Sequence, residues 1–280
     1  MTDRVVCTMS GGVADVRLNR PEKMNALDGA MFEALISVGE DLATRADVRA
    51  VVLSGEGRSF CAGLDLGSFQ TMAGGASADR VVPSRAGCTF ATAQAAGQQA
   101  VYVWQEIPAP VIAAVHGHAL GGGFQLALGA DIRYVHPAAQ LSALEIRWGL
   151  VPDMCGTQLL HRLVGIDVAK ELTFTGRMVP GEEAGRLGLA TRVCEDPRAE
   201  ALALATDIAG RSPDAVRGAK RLFNLAGNVE LAEGLAAEQR VIRSLIGSPN
   251  QVEAVKAYFE KRVPDFADPA AGGDDGGGPA

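Results

Sequence analysis

The segment that most constrains the fold is residues 107–130, which carry no formally charged side chain and contain a triple glycine. Its two prolines, two histidines and glutamine are poorly compatible with a membrane-spanning helix, whereas a buried strand followed by a buried helix accepts them. We therefore predict a strand over 111–115, a glycine turn over 117–123 and a helix that begins near Gly122. The protein is expected to be soluble, with no membrane partner.

The same design occurs earlier in the chain. Residues 50–55, AVVLSG, are a short apolar segment that leads into a second glycine-bearing turn over 59–66. A predicted hairpin over 4–19 and a predicted strand over 132–135 extend the alternation of strands and turns. This order predicts an α/β protein built around buried, mainly parallel strands.

The character of the chain changes near residue 197, beyond which only helical patterns occur. Pro, Gly and Ser residues separate four predicted helices, over 198–210, 213–225, 229–246 and 249–262. We predict three parts: an α/β core over 1–196 that contains the functional site, a helical C-terminal region over 197–266, and a disordered acidic tail over 267–280.

Composition excludes several classes of function. Lys+Arg 26 against Asp+Glu 33 gives a net charge of −7, which argues against nucleic acid as a partner. The five cysteines are scattered and form no C-x-x-C pair, so we expect free thiols in a reducing compartment and no metal site. The amino terminus leads straight into strand-like residues, which predicts no signal peptide and a cytoplasmic protein.

The two glycine turns are the strongest candidates for a functional site. Glycines at the point where a strand turns into a helix leave backbone N–H groups exposed and let a ligand approach closely. Two such turns that face one point would form an oxyanion hole, a pair of donors for a developing negative charge. The alternative is that both turns serve only chain reversal and packing.

The residues in these turns resemble those of a known family. The segments FCAGLDL at 60–66 and GHALGGG at 117–123 are similar in sequence, order and separation to motifs of the crotonase superfamily, the enoyl-CoA hydratases and isomerases. The segments LNRP at 18–21, NAL at 25–27, GTQLL at 156–160 and TGR at 175–177 extend the resemblance over nearly the whole chain. It implies a crotonase-like spiral of β-β-α repeats with a helical C-terminal trimerisation region.

The resemblance also implies a substrate and an assembly. The substrate would be an acyl-CoA thioester, with coenzyme A as part of the substrate and no tightly bound cofactor, and the protein would be a homotrimer or a hexamer made of two trimers. The N–H groups of Leu64 and Gly122 correspond to those that hold the thioester oxygen. The positions corresponding to coenzyme A contacts are Ala26, Ala62, Asp65, Leu66, Tyr258 and Lys261. Lys261 also fits a solvated surface lysine.

The acid–base residues depart from the hydratase pattern. Glu145, in ALEI at 143–146, matches the later of the two glutamates that hydratases use, but Gln125 stands where the earlier one is expected. An amide can orient a water molecule but cannot exchange a proton at neutral pH. Asp153 lies at the offset from Glu145 where dienoyl-CoA isomerases of the family carry an aspartate. It also fits the N-cap of a helix over 154–163.

These residues favour double-bond isomerisation through a dienolate. Glu145 would move the proton, either alone or together with Asp153. Hydration of a 2-enoyl-CoA is the second reading, and thioester hydrolysis and decarboxylation use the same oxyanion hole. A catalytically inactive CoA-binding scaffold is the alternative from another class. Residues 67–98, rich in Gly, Ala and Ser, are predicted to form a mobile loop that lines the acyl pocket.

Overall fold

The computed structural model describes residues 3–65, 67, 93 and 95–269. Most of the predicted loop over 67–98, and Leu66, lie outside the described residues. The strands are β1 Val5–Ser10, β2 Val13–Leu18, β3 Ala50–Gly55, β4 Val111–Val115, β5 His118–Leu120, β6 Ile132–Val135, β7 Gln140–Ser142, β8 Val179–Pro180 and β9 Arg192–Val193. The helices are α1 Gly29–Thr44, α2 Ala96–Glu106, α3 Gly122–Leu128, α4 Gly156–Val164, α5 Ile166–Thr175, α6 Gly181–Leu187, α7 Pro197–Ala209, α8 Pro213–Leu225, α9 Leu231–Leu245 and α10 Pro249–Glu260.

The strands form two sheets. The larger sheet has the order β1-β2-β3-β4-β6-β9, in which β1 is antiparallel to β2 and the other neighbours are parallel. Every residue of β4 is buried because the sheet is covered on both faces, which explains its unbroken apolar sequence. The smaller sheet has the order β5-β7-β8. The prediction of buried, mainly parallel strands is confirmed.

Each repeat places one strand in the larger sheet, a short strand in the smaller layer and then a helix, as β4, β5 and α3 do. Between β4 and β5 the chain turns at Gly117, whose φ is 59° and where a Cβ atom would stand 2.0 Å from the Arg58 carbonyl oxygen. Only glycine fits there. Parallel bridges of Cys61 with Ala119 and of Leu27 with Leu64 extend the smaller layer into the preceding repeats. The predicted α/β spiral of β-β-α repeats is confirmed.

The helices that follow β9 differ in how they pack. Helix α7 covers one face of the larger sheet with Ala201, Ala205 and Ala209, small side chains that allow close approach of helix and sheet. Helix α8 inserts Lys220 into the core, where its Nζ lies 2.7 Å from an Asp131 carboxylate oxygen. The four predicted helices of this region are confirmed, with ends within two residues of the expected ones.

The region predicted to be a disordered tail starts with ordered contacts. The Ala267 N–H donates to Asn250 Oδ1 at 3.0 Å, and Arg49 Nη2 lies 3.0 Å from Asp268 Oδ1. Residues 270–280 lie outside the described residues.

Two further properties bear on the sequence predictions. The helices of the described ranges are all too short or too polar to cross a membrane. The four described cysteines, Cys7, Cys61, Cys155 and Cys194, are free thiols as expected. Cys88 lies outside the described residues.

Candidate active site

The fold brings the two glycine turns together. The Cys61 N–H donates to the His118 carbonyl oxygen at 2.9 Å, and the Leu120 N–H donates to the Cys61 carbonyl oxygen at 3.1 Å. Gly63 adopts the left-handed conformation, with φ at 86°, and a Cβ atom on it would lie 2.5 Å from the Leu120 carbonyl oxygen and 3.6 Å from the Gly122 nitrogen. The glycine at 63 is therefore required for contact between the turns.

Two N–H groups in these turns have no hydrogen-bond partner among the residues that the structure describes. Leu64 forms a parallel bridge with Leu27. In this bridge the Leu27 N–H donates to the Gly63 carbonyl oxygen at 2.8 Å, and the Asp65 N–H donates to the Leu27 carbonyl oxygen at 2.9 Å. The N–H of Leu64 itself therefore points away from Leu27. Gly122 is the first residue of α3, where the helix supplies no acceptor. Neither N–H donates to any residue in the described part of the chain. Both are available for a ligand oxygen.

Glu145 lies beside these donors. It belongs to a 3-10 helix, Leu144–Trp148, which directly follows β7 and is anchored by it. Gly121, with φ at 50°, faces the carboxyl group: a Cβ atom there would stand 3.3 Å from Glu145 Oε1 and 4.0 Å from Oε2. The absence of a side chain at 121 thus opens the space between the carboxyl group and the adjacent Gly122 N–H.

Gln125 joins Glu145 to the start of α4. Its Oε1 accepts from the N–H groups of Met154, at 2.8 Å, and Gly156, at 2.9 Å, while its Nε2 donates to Glu145 Oε1 at 2.6 Å. The side chain is buried. The two backbone donors define which end of the amide is oxygen, so the amide nitrogen must face Glu145.

Burial perturbs the Glu145 carboxyl group. Desolvation raises the pKa of Glu145 above its ordinary value, the negative charge of Asp153 adds to the increase, and the hydrogen bond from Gln125 opposes it. Glu145 Oε2 is buried and has no hydrogen-bond partner among the described residues. A raised pKa brings the ionised and protonated forms of Glu145 closer in free energy at neutral pH, which favours a role in both accepting and returning a proton.

Asp153 is not a helix cap, and that interpretation of it was wrong. Helix α4 begins at Gly156, its N-cap residue is Cys155 in the left-handed conformation, with φ at 67°, and no side chain of the cap residue accepts a bond. The amide oxygen of Gln125 occupies the place that a capping side chain would take. Asp153 is exposed as a whole residue, partial desolvation of its carboxyl group raises the pKa of Asp153, and its negative charge raises the pKa of Glu145.

The residues that resemblance assigned to coenzyme A divide into two groups. Ala26, Ala62 and Asp65 lie on the two segments that form the Leu27–Leu64 bridge, next to the free N–H groups. The Asp65 carboxylate accepts from the Gly67 N–H at 2.8 Å and pairs with Arg20 Nη1 at 2.7 Å, and these two bonds lower its pKa.

Tyr258 and Lys261 lie at the far end of α10. The Tyr258 ring is exposed and packs edge-on against the Phe259 ring, with centroids 5.7 Å apart. Across the described ranges, no hydrogen bond or ion pair connects either residue to the glycine turns.

Two residues that matter for the site had no role in the sequence analysis. Arg20 donates to the Ala26 carbonyl oxygen at 3.1 Å and also holds Asp65. Asn25 is fully buried with φ at 56°, and its Nδ2 donates to the carbonyl oxygens of Glu56, Ser59 and Phe60 at 3.0, 2.8 and 3.1 Å. The only sequence signal was their presence in the LNRP and NAL segments.

Comparisons with known proteins agree with this geometry. The model of a protein family described as enoyl-CoA hydratase/isomerase matches residues 8–269. The chain is 36% identical to a Mycobacterium tuberculosis protein named "Probable enoyl-CoA hydratase echA8" over 259 residues, 91% of this chain and 94% of the relative. It is 32% identical to the short-chain-enoyl-CoA hydratase of Clostridium acetobutylicum over 263 residues, 93% of this chain and 96% of the relative. The crystal structure of an enoyl-CoA hydratase from Bacillus anthracis superposes with a TM-score of 0.81 at 32% identity, covering 94% of this chain and 98% of that one.

Proposed function

The chain belongs to the enoyl-CoA hydratase/isomerase family, and from that premise we propose that it shifts a carbon–carbon double bond in an enoyl- or dienoyl-CoA thioester. The observation that carries this proposal is the state of the acid–base groups. One buried carboxyl group, Glu145, lies beside two free N–H groups, and the neighbouring amide of Gln125 is committed to it as a hydrogen-bond donor. Moving a proton between two carbons needs one such carboxyl group and no activated water.

The proposed reaction uses the two turns as an oxyanion hole. The thioester oxygen accepts from the N–H groups of Leu64 and Gly122, and each donor contributes about 3–4 kcal/mol to a transition state in which negative charge gathers on that oxygen. Glu145 removes a proton from the carbon next to the thioester, and a dienolate forms. The proton is then returned to the distant carbon of the conjugated system. Its raised pKa suits Glu145 to both steps.

Asp153 is the candidate for a second acid–base group. Asp153 does not cap a helix. Its negative charge raises the pKa of Glu145, and partial desolvation raises its own pKa. In a dienoyl-CoA the two carbons that exchange a proton are farther apart than in a 3-enoyl-CoA. A second carboxyl group is then useful, because one side chain reaches both carbons less well. We propose Asp153 for dienoyl substrates and Glu145 alone for 3-enoyl substrates.

Hydration of a 2-enoyl-CoA is the second candidate, favoured by the hydratase names that several relatives carry. In that case Gln125 would use its remaining amide N–H to hold a water molecule while Glu145 activates it. The amide cannot donate the proton that a glutamate at this position would supply. Hydration would therefore have only Glu145 as an acid–base group, where a second group to donate a proton is useful.

A paired assay on the purified protein separates these functions. A 2-enoyl-CoA, a 3-enoyl-CoA and a 3,5-dienoyl-CoA are followed by ultraviolet absorbance for the wild type, Glu145→Gln and Asp153→Asn. The exposed carboxylate of Asp41 on α1, changed to asparagine, is the matched control. We expect isomerisation that is lost in Glu145→Gln and, for the dienoyl substrate alone, in Asp153→Asn. Fast hydration without any double-bond shift would overturn the proposal.

The position of coenzyme A and the assembly form a linked proposal. We propose that coenzyme A lies along Ala26, Ala62 and Asp65, and that Tyr258 and Lys261 meet the coenzyme A of a neighbouring subunit in a homotrimer or a hexamer. Support comes from the large apolar side chains that the last three helices and their flanks expose: Phe223, Leu231, Leu235, Ile242, Ile246, Val252, Val255, Tyr258, Phe259 and Val263. Such a surface is typical of an interface between subunits. Analytical ultracentrifugation should give three or six times the chain mass.

Two further alternatives have direct tests. An inactive CoA-binding scaffold would bind coenzyme A in calorimetry and convert none of the three substrates. The scattered free thiols support the proposal that the protein works in the reducing cytoplasm, and imaging of a tagged protein in its own cells tests this.

A further inference from the structure

We infer that Gln125 is a positioning residue that gives the two oxygens of Glu145 different tasks: Oε1 is held as a fixed acceptor, and Oε2 alone moves the proton. This inference rests on the proposed function, because it assigns atoms within the same proton transfer. Gln125 stands where the family resemblance leads one to expect a glutamate. In the structure that side chain has a well-defined set of three hydrogen bonds.

The amide of Gln125 is held in one orientation. Its Oε1 lies between two backbone donors, the N–H groups of Met154 and Gly156, at 2.8 and 2.9 Å. Flipping would place an NH2 group against both donors and leave three donors without an acceptor in a buried space. Gly156 also has no room for a side chain, since a Cβ atom there would stand 2.7 Å from Gln125 Oε1.

The fixed amide makes the two oxygens of Glu145 unequal. Because the amide is fixed, Gln125 Nε2 always presents a hydrogen to Glu145 Oε1, at a donor–acceptor distance of 2.6 Å. A proton on Oε1 would compete with that hydrogen for the lone pairs of one oxygen, whereas Oε2 meets no donor among the described residues, so protonation of the carboxyl group is favoured at Oε2. Oε2 accepts no bond from any described residue, which leaves its lone pairs available for a proton.

The proton transfer uses only the substrate and Glu145, with no further reactant. For a 3-enoyl-CoA, the C2–H bond breaks, the proton goes to Glu145 Oε2, and the electron pair moves into a dienolate whose charge lies on the thioester oxygen. The Oε2–H bond then breaks, a C4–H bond forms, and the electron pairs return as the 2-ene and the thioester carbonyl. The same proton leaves C2 and arrives at C4, since one shielded oxygen carries it.

Two substitutions separate positioning from a purely structural role. Gln125→Glu keeps an oxygen for the N–H groups of Met154 and Gly156, so the start of α4 keeps its acceptor. It replaces the donor toward Glu145 by a second carboxyl oxygen at close range, and two such oxygens share one proton. Gln125→Met has a similar length but removes both the acceptor and the donor.

The experiment measures isomerisation of a 3-enoyl-CoA from pH 5 to 9, with thermal unfolding as the check on folding. We expect the acidic limb of kcat/KM to move to higher pH in Gln125→Glu, with roughly tenfold lower activity at pH 6 and a much smaller difference at pH 9. Gln125→Met should lose activity and thermal stability together. If Gln125 only caps α4, Gln125→Met will lose thermal stability but, at temperatures where it is folded, will keep the wild-type activity and pH profile, and the inference is then wrong.

A label tests in the wild type whether one group carries the proton from C2 to C4. A 3-enoyl-CoA deuterated at C2 is converted in ordinary water, and the product is analysed by mass spectrometry and NMR. We expect a substantial fraction of product with deuterium at C4, and a smaller fraction from Gln125→Glu, where a second exchangeable proton adjoins Glu145. Isomerisation with no deuterium at C4 would overturn the single-oxygen transfer and leave the proposed function intact. Absence of any isomerisation would overturn both.

Discussion

Replacing Gly63 by alanine tests whether contact between the two turns creates the oxyanion hole. The residue has φ at 86°, and an added Cβ atom would stand 2.5 Å from the Leu120 carbonyl oxygen, a backbone atom that cannot rotate away. The left-handed conformation costs an alanine about 1–2 kcal/mol. To relieve the remaining overlap, the 61–65 segment must move away from the second turn, and the N–H of Leu64 moves with it.

The expected loss follows from that displacement. Removing one oxyanion-hole donor lowers kcat by about 10²–10³-fold, or roughly 3–4 kcal/mol. We expect Gly63→Ala to lose this much kcat, with a smaller change in KM, because the segments along which coenzyme A is proposed to bind keep most of their contacts. The assay is steady-state isomerisation by ultraviolet absorbance, together with urea unfolding.

The matched control is Gly11→Ala in the β1–β2 turn. Gly11 has φ at 55° and nothing within 4 Å of an added Cβ atom, so the substitution carries conformational strain without overlap. It should cost about 1–2 kcal/mol of stability and leave kcat unchanged. A folded Gly63→Ala protein with wild-type kcat would refute the oxyanion-hole assignment of Leu64.

Four further outcomes are expected. Wild-type isomerisation should fall as the pH drops through the raised pKa of Glu145, because only the ionised form is a base, and a pH–rate profile with no acidic limb above the ordinary glutamate range would contradict this. Asn25→Ala leaves buried carbonyl groups without donors, so urea unfolding should show a loss of about 2–4 kcal/mol. Lys220→Met removes the ammonium partner of the Asp131 carboxylate and should lower the free energy of unfolding by about 3–5 kcal/mol in the same assay. An unchanged free energy of unfolding would show that water replaces the ammonium group. Arg20→Ala frees Asp65 and the Ala26 carbonyl group, and should raise KM for the thioester about tenfold with little change in kcat.

Much of the local structure was accessible from the sequence because it depends on residues close together in the chain. Asp28 caps α1, with its Oδ1 accepting from the Met31 N–H at 2.8 Å, and an aspartate directly before a helical pattern is a signal that the sequence itself carries. The strand over 111–115 and the turn after it follow from an apolar run that ends at glycine. Each prediction needed only a short window of sequence.

The candidate site was accessible only in part. Sequence pattern and resemblance pointed to Leu64, Gly122, Glu145 and Gln125, but not to what any of them contacts. The cap assigned to Asp153 failed because the true acceptor for the Gly156 N–H is Gln125, 31 residues earlier in the chain. Arg20 and Asn25 were missed for a similar reason, since Asp65 lies 45 positions from Arg20 and the carbonyl groups that Asn25 binds lie 31 to 35 positions from Asn25.

The sequence by itself therefore determined the repeat of strand, glycine turn and helix, and the presence of one glutamate where hydratases of the family have two. Tertiary structure alone decided that the two turns touch, that two of their N–H groups meet no acceptor in the described part of the chain, and that the amide nitrogen of Gln125 faces Glu145. The physical reason is range: helices and turns are stabilised by neighbours in sequence, whereas the site consists of groups that only the closed spiral brings within hydrogen-bond distance.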